Sequence, residues 1–73
     1  MQPSAADFLS AFVEDRGGIG NASADLDINQ SLLRNFITKR TEIDWNNKYV
    51  LFAKTLVMPD RERAAKLLAM CPK

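Results

Sequence analysis

The sequence predicts an all-α fold, a small domain of five helices that includes a helix-turn-helix. Apolar residues recur three and four positions apart in several segments, which is the spacing of one helix face. No segment alternates between apolar and polar residues as a half-buried strand does. A chain of 73 residues with 47% hydrophobic content can form one domain with one modest core. We therefore assign residues 1–73 to a single domain.

The first helix is predicted over residues 5–16. Ser4 and Asp7 have the spacing of a capping box, in which each side chain accepts a hydrogen bond from the backbone N–H of the other residue. Gly17 and Gly18 follow, and glycine readily adopts the left-handed conformation that ends many helices. The apolar face of this helix consists of Phe8, Leu9, Phe12 and Val13.

The second and third helices are predicted to be short and joined by a tight turn. Asn21 is a favourable N-cap for helix two, which ends at Leu26. Asp27 stands at the turn, where its tolerance of a positive φ is useful. Asn29 is the expected N-cap of helix three, which runs to about Thr38.

The fourth helix follows a polar connector over residues 39–43. Asp44 is its expected N-cap, and its broad apolar face indicates the central helix of the domain. Trp45 is expected to pack the connector onto this helix. Met58 and Pro59 end helix four, and a fifth helix is predicted to run from Pro59 to about Met70. The apolar residues of helix four are Val50, Leu51, Phe52, Ala53, Leu56 and Val57.

Residues 19–38 have the pattern of a helix-turn-helix that presents a recognition helix to the major groove of DNA. Ala22 and Ser23 are small enough for the close contact that two steeply crossed helices require. Leu33, Phe36 and Ile37 form an apolar stripe on helix three, and its opposite face is polar. This arrangement buries one side of the helix and leaves the other side free to read bases.

The polar face of helix three contains residue types that recognise base edges. Gln30 is suited to adenine and Arg34 to the O6 and N7 atoms of guanine, each through two hydrogen bonds. Ser31 and Asn35 are expected to contact base edges or phosphates.

Residues around this face are expected to hold the DNA backbone. Asn21 lies at a helix N-terminus, where free N–H groups suit a phosphate. Thr38, Lys39, Arg40 and Lys48 are expected to contact neighbouring phosphates, which sets the register and not the sequence. The candidate DNA-binding residues are Asn21, Asn29, Gln30, Ser31, Arg34, Asn35, Thr38, Lys39 and Arg40.

Residues 22–37 resemble the helix-turn-helix of the lambda-repressor-like family, which includes phage Cro proteins, phage repressors and activators of the CII type. Gln30 and Ser31 open the recognition helix as in several members. Ser23 and Asp27 depart from the pattern, since the family usually has Ala and Gly there. The resemblance implies a lambda-repressor-like DNA-binding domain and a transcriptional regulator of phage or mobile-element origin that occupies an operator. The family's apolar positions are filled by Leu26, Ile28, Leu33 and Phe36.

Charge is divided unevenly along the chain, although the net charge is only +1. Residues 1–33 contain one basic residue and five acidic ones, whereas residues 34–73 contain nine basic and four acidic ones. A local basic surface attracts phosphates even when the total charge is near zero. A division of this kind also arises by chance in small proteins.

Several classes of protein are excluded or disfavoured by composition. The chain has no histidine, which excludes a zinc finger and a histidine-based triad, and Cys71 is its only cysteine. Asp25 and Asp27 are expected to be solvated charges at a helix end. No apolar run approaches the ~20 residues of a membrane span. We expect a cytoplasmic protein that is not an enzyme, with no cofactor, metal, membrane or small-molecule partner.

A second copy of the chain is the expected protein partner. A domain of this size has only ~3–5 kcal/mol of stability without a disulfide or a metal. A homodimer is predicted through helix five, with exposed apolar residues of helix four contributing. The alternative function is a small helical protein-interaction module, an adaptor or inhibitor of a host protein that does not bind DNA. The predicted interface residues of helix five are Leu67, Leu68 and Met70.

Overall fold

A computed structural model describes residues 4–57, 65 and 67–71 of the chain. The described residues form four helices and no strand: α1 (Ala5–Asp15), α2 (Ile19–Leu26), α3 (Gln30–Ile37) and α4 (Lys48–Val57). The predicted all-α character is therefore confirmed. The predicted fifth helix lies mostly outside the described residues. Within its predicted range, the described residues Ala65, Leu67 and Leu68 are helical.

Helix α1 begins with the capping box and ends with the glycines that the sequence predicts. The Ser4 hydroxyl accepts a hydrogen bond from the Asp7 N–H, and the Asp7 carboxylate accepts one from the Ser4 N–H, both at 3.1 Å. At the other end, the N–H groups of Gly17 and Gly18 donate to carbonyls in the last turn of α1. Gly17 has a φ of 89°, which favours glycine. The helix ends at Asp15, one residue before the predicted end.

Helix α2 begins earlier than predicted, and Asn21 is not its N-cap. Gly18 occupies the N-cap position and offers no side-chain hydrogen bond. Because Gly18 both closes α1 and precedes α2, the chain passes from one helix to the next before it reaches Asn21. The Asn21 amide instead donates to the Arg16 carbonyl at 3.1 Å. Asn21 therefore holds the end of α1.

The turn between α2 and α3 confirms the prediction for both of its polar residues. Asp27 is left-handed, with a φ of 52° and a ψ of 49°. The following N–H, that of Ile28, donates to the Ser23 carbonyl at 3.0 Å and closes the end of α2. Asn29 caps α3, since its side-chain oxygen accepts from the Ser31 N–H at 2.7 Å.

Helix α3 ends in a Schellman motif that is not predicted from the sequence. The Lys39 N–H donates to the Phe36 carbonyl at 3.2 Å, and the Arg40 N–H donates to the Asn35 carbonyl at 2.9 Å. Lys39 has a φ of 64°. Glycine or asparagine usually occupies this position, so a lysine here is unusual.

Helix α4 is capped by Asn47 and not, as predicted, by Asp44. The Asn47 side-chain oxygen accepts from the N–H groups of Tyr49 and Val50 at 2.9 and 3.4 Å. The Asp44 carboxylate accepts instead from the Asn46 N–H at 2.9 Å, which closes a turn in the connector. Asp44 lies before that turn and Asn47 after it, so only Asn47 adjoins the helix.

Helix α1 lies at the centre of the described fold, because it packs against α2, α3 and α4 and has six buried residues, more than any other described helix. The prediction that the fourth helix is central is wrong for the described helices, because α4 packs only against α1 and α2 among them. Only one side of α4 is covered, and Leu51 and Phe52 are 46% and 44% exposed on its other side. Ala22 and Ser23 are buried on α2, and α2 packs against α3. The largest fully buried side chains are Phe8, Leu9, Phe12, Leu26, Leu33 and Val50.

Candidate nucleic-acid interface

Helix α3 has one buried face and one exposed face. Leu33 and Phe36 are buried and hold the helix in the core. Gln30, Ser31 and Arg34 are exposed on the other side. Residues three and four apart on a helix are neighbours, so these side chains form one continuous polar surface.

Part of this surface has side chains that are free to bind a ligand. Within the described part of the chain, the side chains of Gln30, Arg34 and Arg40 make no hydrogen bond or ion pair. The amide and the guanidinium groups present several N–H donors in fixed planar geometry. These are the groups that can bind base edges or phosphates without first breaking an internal contact.

Other predicted DNA-binding residues have structural roles in the isolated chain. The Thr38 hydroxyl donates to the Arg34 carbonyl at 2.8 Å, so it closes the last turn of α3. The Asn29 oxygen caps α3 and the Asn21 amide binds the end of α1, as described above. These three side chains set the position of the helices before they contact any ligand. Asn35 is half-buried, unlike Gln30, Ser31 and Arg34, which are exposed.

Lys39 is paired with an acidic residue that the sequence does not place nearby. Its ammonium nitrogen lies 3.3 Å from a carboxylate oxygen of Asp7 in the first turn of α1. The Ser4 backbone N–H, followed by the Lys39 ammonium and the Ser4 hydroxyl, holds the pKa of the Asp7 carboxyl below its ordinary value. The predicted phosphate ligand at the end of α3 therefore already has an anionic neighbour.

The segment from the last turn of α3 to Arg40 is basic. Between Arg34 and Arg40 the chain contains three cationic side chains and no acidic one. Cations are also favourable near a helix C-terminus, where the carbonyl groups give a partial negative charge. Positive charge is thus concentrated on the segment that the sequence predicts to lie nearest the DNA.

A cluster centred on Arg16 fixes α2 relative to the rest of the fold. The Arg16 guanidinium donates to the Leu56 carbonyl at 2.9 Å and stacks 5.0 Å from the centre of the Phe12 ring. Its Nε lies 3.6 Å from the Asp25 carboxylate, which is an ion pair too long for a hydrogen bond. Asp25 is exposed at the end of α2, as predicted, and it is also paired with Arg16. The sequence carries no local sign of this cluster, because its members come from α1 and its C-cap, α2 and α4.

Aromatic rings join the connector to two helices. Trp45 lies 5.7 Å from the Phe8 ring of α1, and the Lys54 ammonium of α4 lies 5.2 Å from the Trp45 ring. Trp45 thus packs the connector onto α4, as predicted, and onto α1 as well. Lys48 lies 5.0 Å from the Tyr49 ring. Its ammonium group is therefore associated with an aromatic face.

The described residues offer little for other chemistry. Burial raises the pKa of the Cys71 thiol, with the Lys54 charge acting in the opposite direction, so the reactive thiolate is disfavoured. The described residues contain no group of three or more His, Cys, Asp or Glu side chains that could hold a metal ion. None of the described helices is long and apolar enough to cross a membrane.

Comparison of the chain with protein-family models, curated proteins and solved structures finds no match. A functional proposal therefore depends on the contacts and exposures described above.

Proposed function

We propose that this protein is a sequence-specific regulator of transcription that binds double-stranded DNA, of the Cro or repressor type. Its source would be a phage or a mobile element, and it would act by occupying an operator. One observation carries the proposal. Helix α3 has an exposed face with free Gln30 and Arg34 side chains, and its other face is buried in the core.

The proposed docking places α3 in the major groove. Its eight residues span about 12 Å, which allows contact with only a few base pairs. Gln30 would read adenine and Arg34 would read guanine, while Lys39 and Arg40 would bind phosphates at the end of the helix. The start of α2 has no side-chain cap, so its N–H groups are available to a further phosphate.

A homodimer belongs to this proposal, because one short recognition helix gives little specificity. Two copies would bind half-sites separated by one turn of DNA, ~34 Å. Leu67, one of the predicted interface residues, is only 4% exposed and belongs to the core. Leu51 and Phe52 on α4 are the better interface residues, since both are large, apolar and exposed.

The first experiment is an NMR titration of the isotopically labelled chain with a mixed-sequence DNA duplex at low salt. We expect shifts concentrated on residues 29–40 and on the start of α2, and we expect added salt to reverse them. Shifts that are absent, or that are spread over the chain without this focus, would reject the proposal.

The replacement Arg34→Ala tests whether α3 reads bases. Once an operator has been selected, the loss should be about 1–3 kcal/mol and the base preference should relax at one position. Arg40→Ala is the matched control, because losing a phosphate contact should weaken binding to all sequences alike. If both variants weaken selected and random DNA equally, Arg34 is not a reading residue.

The exposed pair on α4 also favours a second candidate, a protein-interaction module. Leu51 and Phe52 lie on consecutive positions of one helix and could bury apolar area against another protein. This candidate predicts that the chain passes through a heparin column at low salt, whereas a DNA-binding regulator is retained. It also predicts that Leu51→Gln abolishes binding to the partner, whereas a regulator with this change still binds a single half-site.

A further inference from the structure

We propose that Asp7 opposes DNA binding by occupying Lys39, and that it thereby lowers the affinity and the salt dependence of the interface. This inference rests on the proposed function. It adds a residue of α1, outside the helix-turn-helix, to the determinants of DNA affinity.

The position of Asp7 is set by the start of α1. Its carboxylate accepts the Ser4 N–H at 3.1 Å, and its own N–H donates to the Ser4 hydroxyl at the same distance. These reciprocal bonds form the capping box of α1, so the carboxylate cannot swing away without losing its bond from the Ser4 N–H. The negative charge therefore stays beside the end of α3.

The position of Lys39 is set by the end of α3. Its backbone is left-handed within the Schellman motif, and its N–H is bonded to the Phe36 carbonyl at 3.2 Å. Its ammonium group lies 3.3 Å from the Asp7 carboxylate. The backbone structure on both sides thus places the two charged groups within reach of each other.

A phosphate that approaches Lys39 meets both members of the pair. The side chains of Lys39 and Asp7 are 64% and 44% exposed, so neither shields the other from DNA. The ammonium already has a partner when the phosphate arrives, so it must leave the Asp7 carboxylate before it can bind the phosphate. The number of counterions released from DNA increases with the number of phosphates that the protein neutralises. A lysine that is already paired with a carboxylate neutralises a phosphate less effectively, so it contributes less to counterion release. Glu42, which lines the same surface depression as Lys39, adds a second negative charge there.

The experiment compares wild-type protein with Asp7→Asn in binding to a mixed-sequence duplex across a series of salt concentrations. Asparagine keeps an oxygen for the Ser4 N–H and removes the charge. We expect binding at low salt to tighten by about two- to fivefold. We also expect the plot of log affinity against log salt concentration to steepen by about 0.9, the value for one more phosphate contact.

Two control variants separate this effect from overall charge. Glu14→Gln makes the same change in net charge at the exposed far end of α1, about 10 Å along the helix axis from Asp7. It should change the affinity by less than half as much. Asp7→Asn should lose its effect in a Lys39→Asn background, where asparagine tolerates the left-handed backbone.

The outcomes distinguish this inference from the function on which it depends. If the wild-type protein shows no salt-dependent DNA binding, the proposed function and this inference both fail. If the wild-type protein binds DNA and Asp7→Asn does not tighten binding, only this inference fails. It also fails if Glu14→Gln has an equal effect, or if the gain persists without Lys39.

Discussion

Asp27 and Lys39 flank α3, and each holds the left-handed backbone conformation that a Cβ makes costly. Lys39 gains an ion pair from its position. Asp27 has no side-chain partner among the described residues, and its carboxylate stands at the negatively polarised end of α2. Asp27 therefore adopts the conformation that the turn requires, but its side chain does not stabilise the turn.

Replacing Asp27 by Gly should raise the free energy of unfolding by about 0.5–1 kcal/mol, because it removes both the Cβ strain and the unfavourable charge. Urea denaturation monitored by circular dichroism measures the change. Asp27→Asn is the matched control, since it removes only the charge and should give a smaller gain. A loss of stability in the glycine variant would contradict this account of the turn.

Acid should destabilise the protein partly through Asp7. The pKa of its carboxyl is lowered in the folded state from an ordinary value of 3.8, chiefly by the Ser4 backbone N–H. The associated stability is therefore present above about pH 4 and is lost as the pH falls through the lower, folded-state value. Denaturation of wild-type protein and Asp7→Asn between pH 6 and pH 2.5 tests this, with a flatter dependence expected for the variant. Parallel curves for the two proteins would show that Asp7 does not contribute.

At the level of single helices, local sequence patterns predict the starts of α1 and α3 and the turn before α3. Ser4, Asp27 and Asn29 act through partners only two to four residues away, so their roles are visible in the sequence. The starts of α2 and α4 were predicted wrongly, because each segment contains two residues that can begin a helix. Gly18 and Asn47 occupy the N-cap positions that the patterns assign to Asn21 and Asp44.

The start of α4 can be tested by paired replacements in the connector. Asn47→Ala should lower the free energy of unfolding by about 1 kcal/mol, because two N–H groups of α4 lose their acceptor. Asp44→Ala removes only a turn bond and should cost less than half as much. Thermal or urea denaturation of both variants gives the comparison. A larger loss for Asp44→Ala would restore the sequence-based assignment of the cap.

Contacts between helices are the part of the candidate site that the sequence does not predict. Asp7 meets Lys39, and Arg16 meets Asp25, only after the chain has folded around α1. Neither pair has the three- or four-residue spacing that signals a contact on one helix. Gln30, Ser31 and Arg34 are exposed on α3 and Asn35 is half-buried. The neighbours of these residues from other helices follow from the tertiary arrangement.

For the molecule as a whole, the sequence predicts most of the apolar residues that form the core, but it does not predict which helix lies at the centre. Helix α1 is buried against three helices, whereas α4 covers its neighbours with one side only. Periodicity identifies apolar positions along a helix and does not count the helices packed around it. Leu51 and Phe52 therefore look like core residues in the sequence and are exposed in the fold.

Leu33→Ala should leave a substantial fraction of the protein unfolded at 25 °C. Leu33 is fully buried beneath α3, and the loss of such a side chain costs about 2–5 kcal/mol. That loss is comparable to the ~3–5 kcal/mol available to a domain of this size. Circular dichroism during heating measures the effect, and Leu51→Ala, at an exposed site, should change stability by less than about 0.5 kcal/mol. Similar melting curves for the two variants would contradict the described core.

The packing of Trp45 gives the protein a natural optical reporter. It is the only tryptophan in the chain, and its ring lies 5.7 Å from the Phe8 ring and 5.2 Å from the Lys54 ammonium group. Indole emission therefore comes from a single place, the segment that joins the end of α3 to the start of α4. Its wavelength and intensity will follow folding, and any rearrangement of this segment on binding, in protein that carries no label.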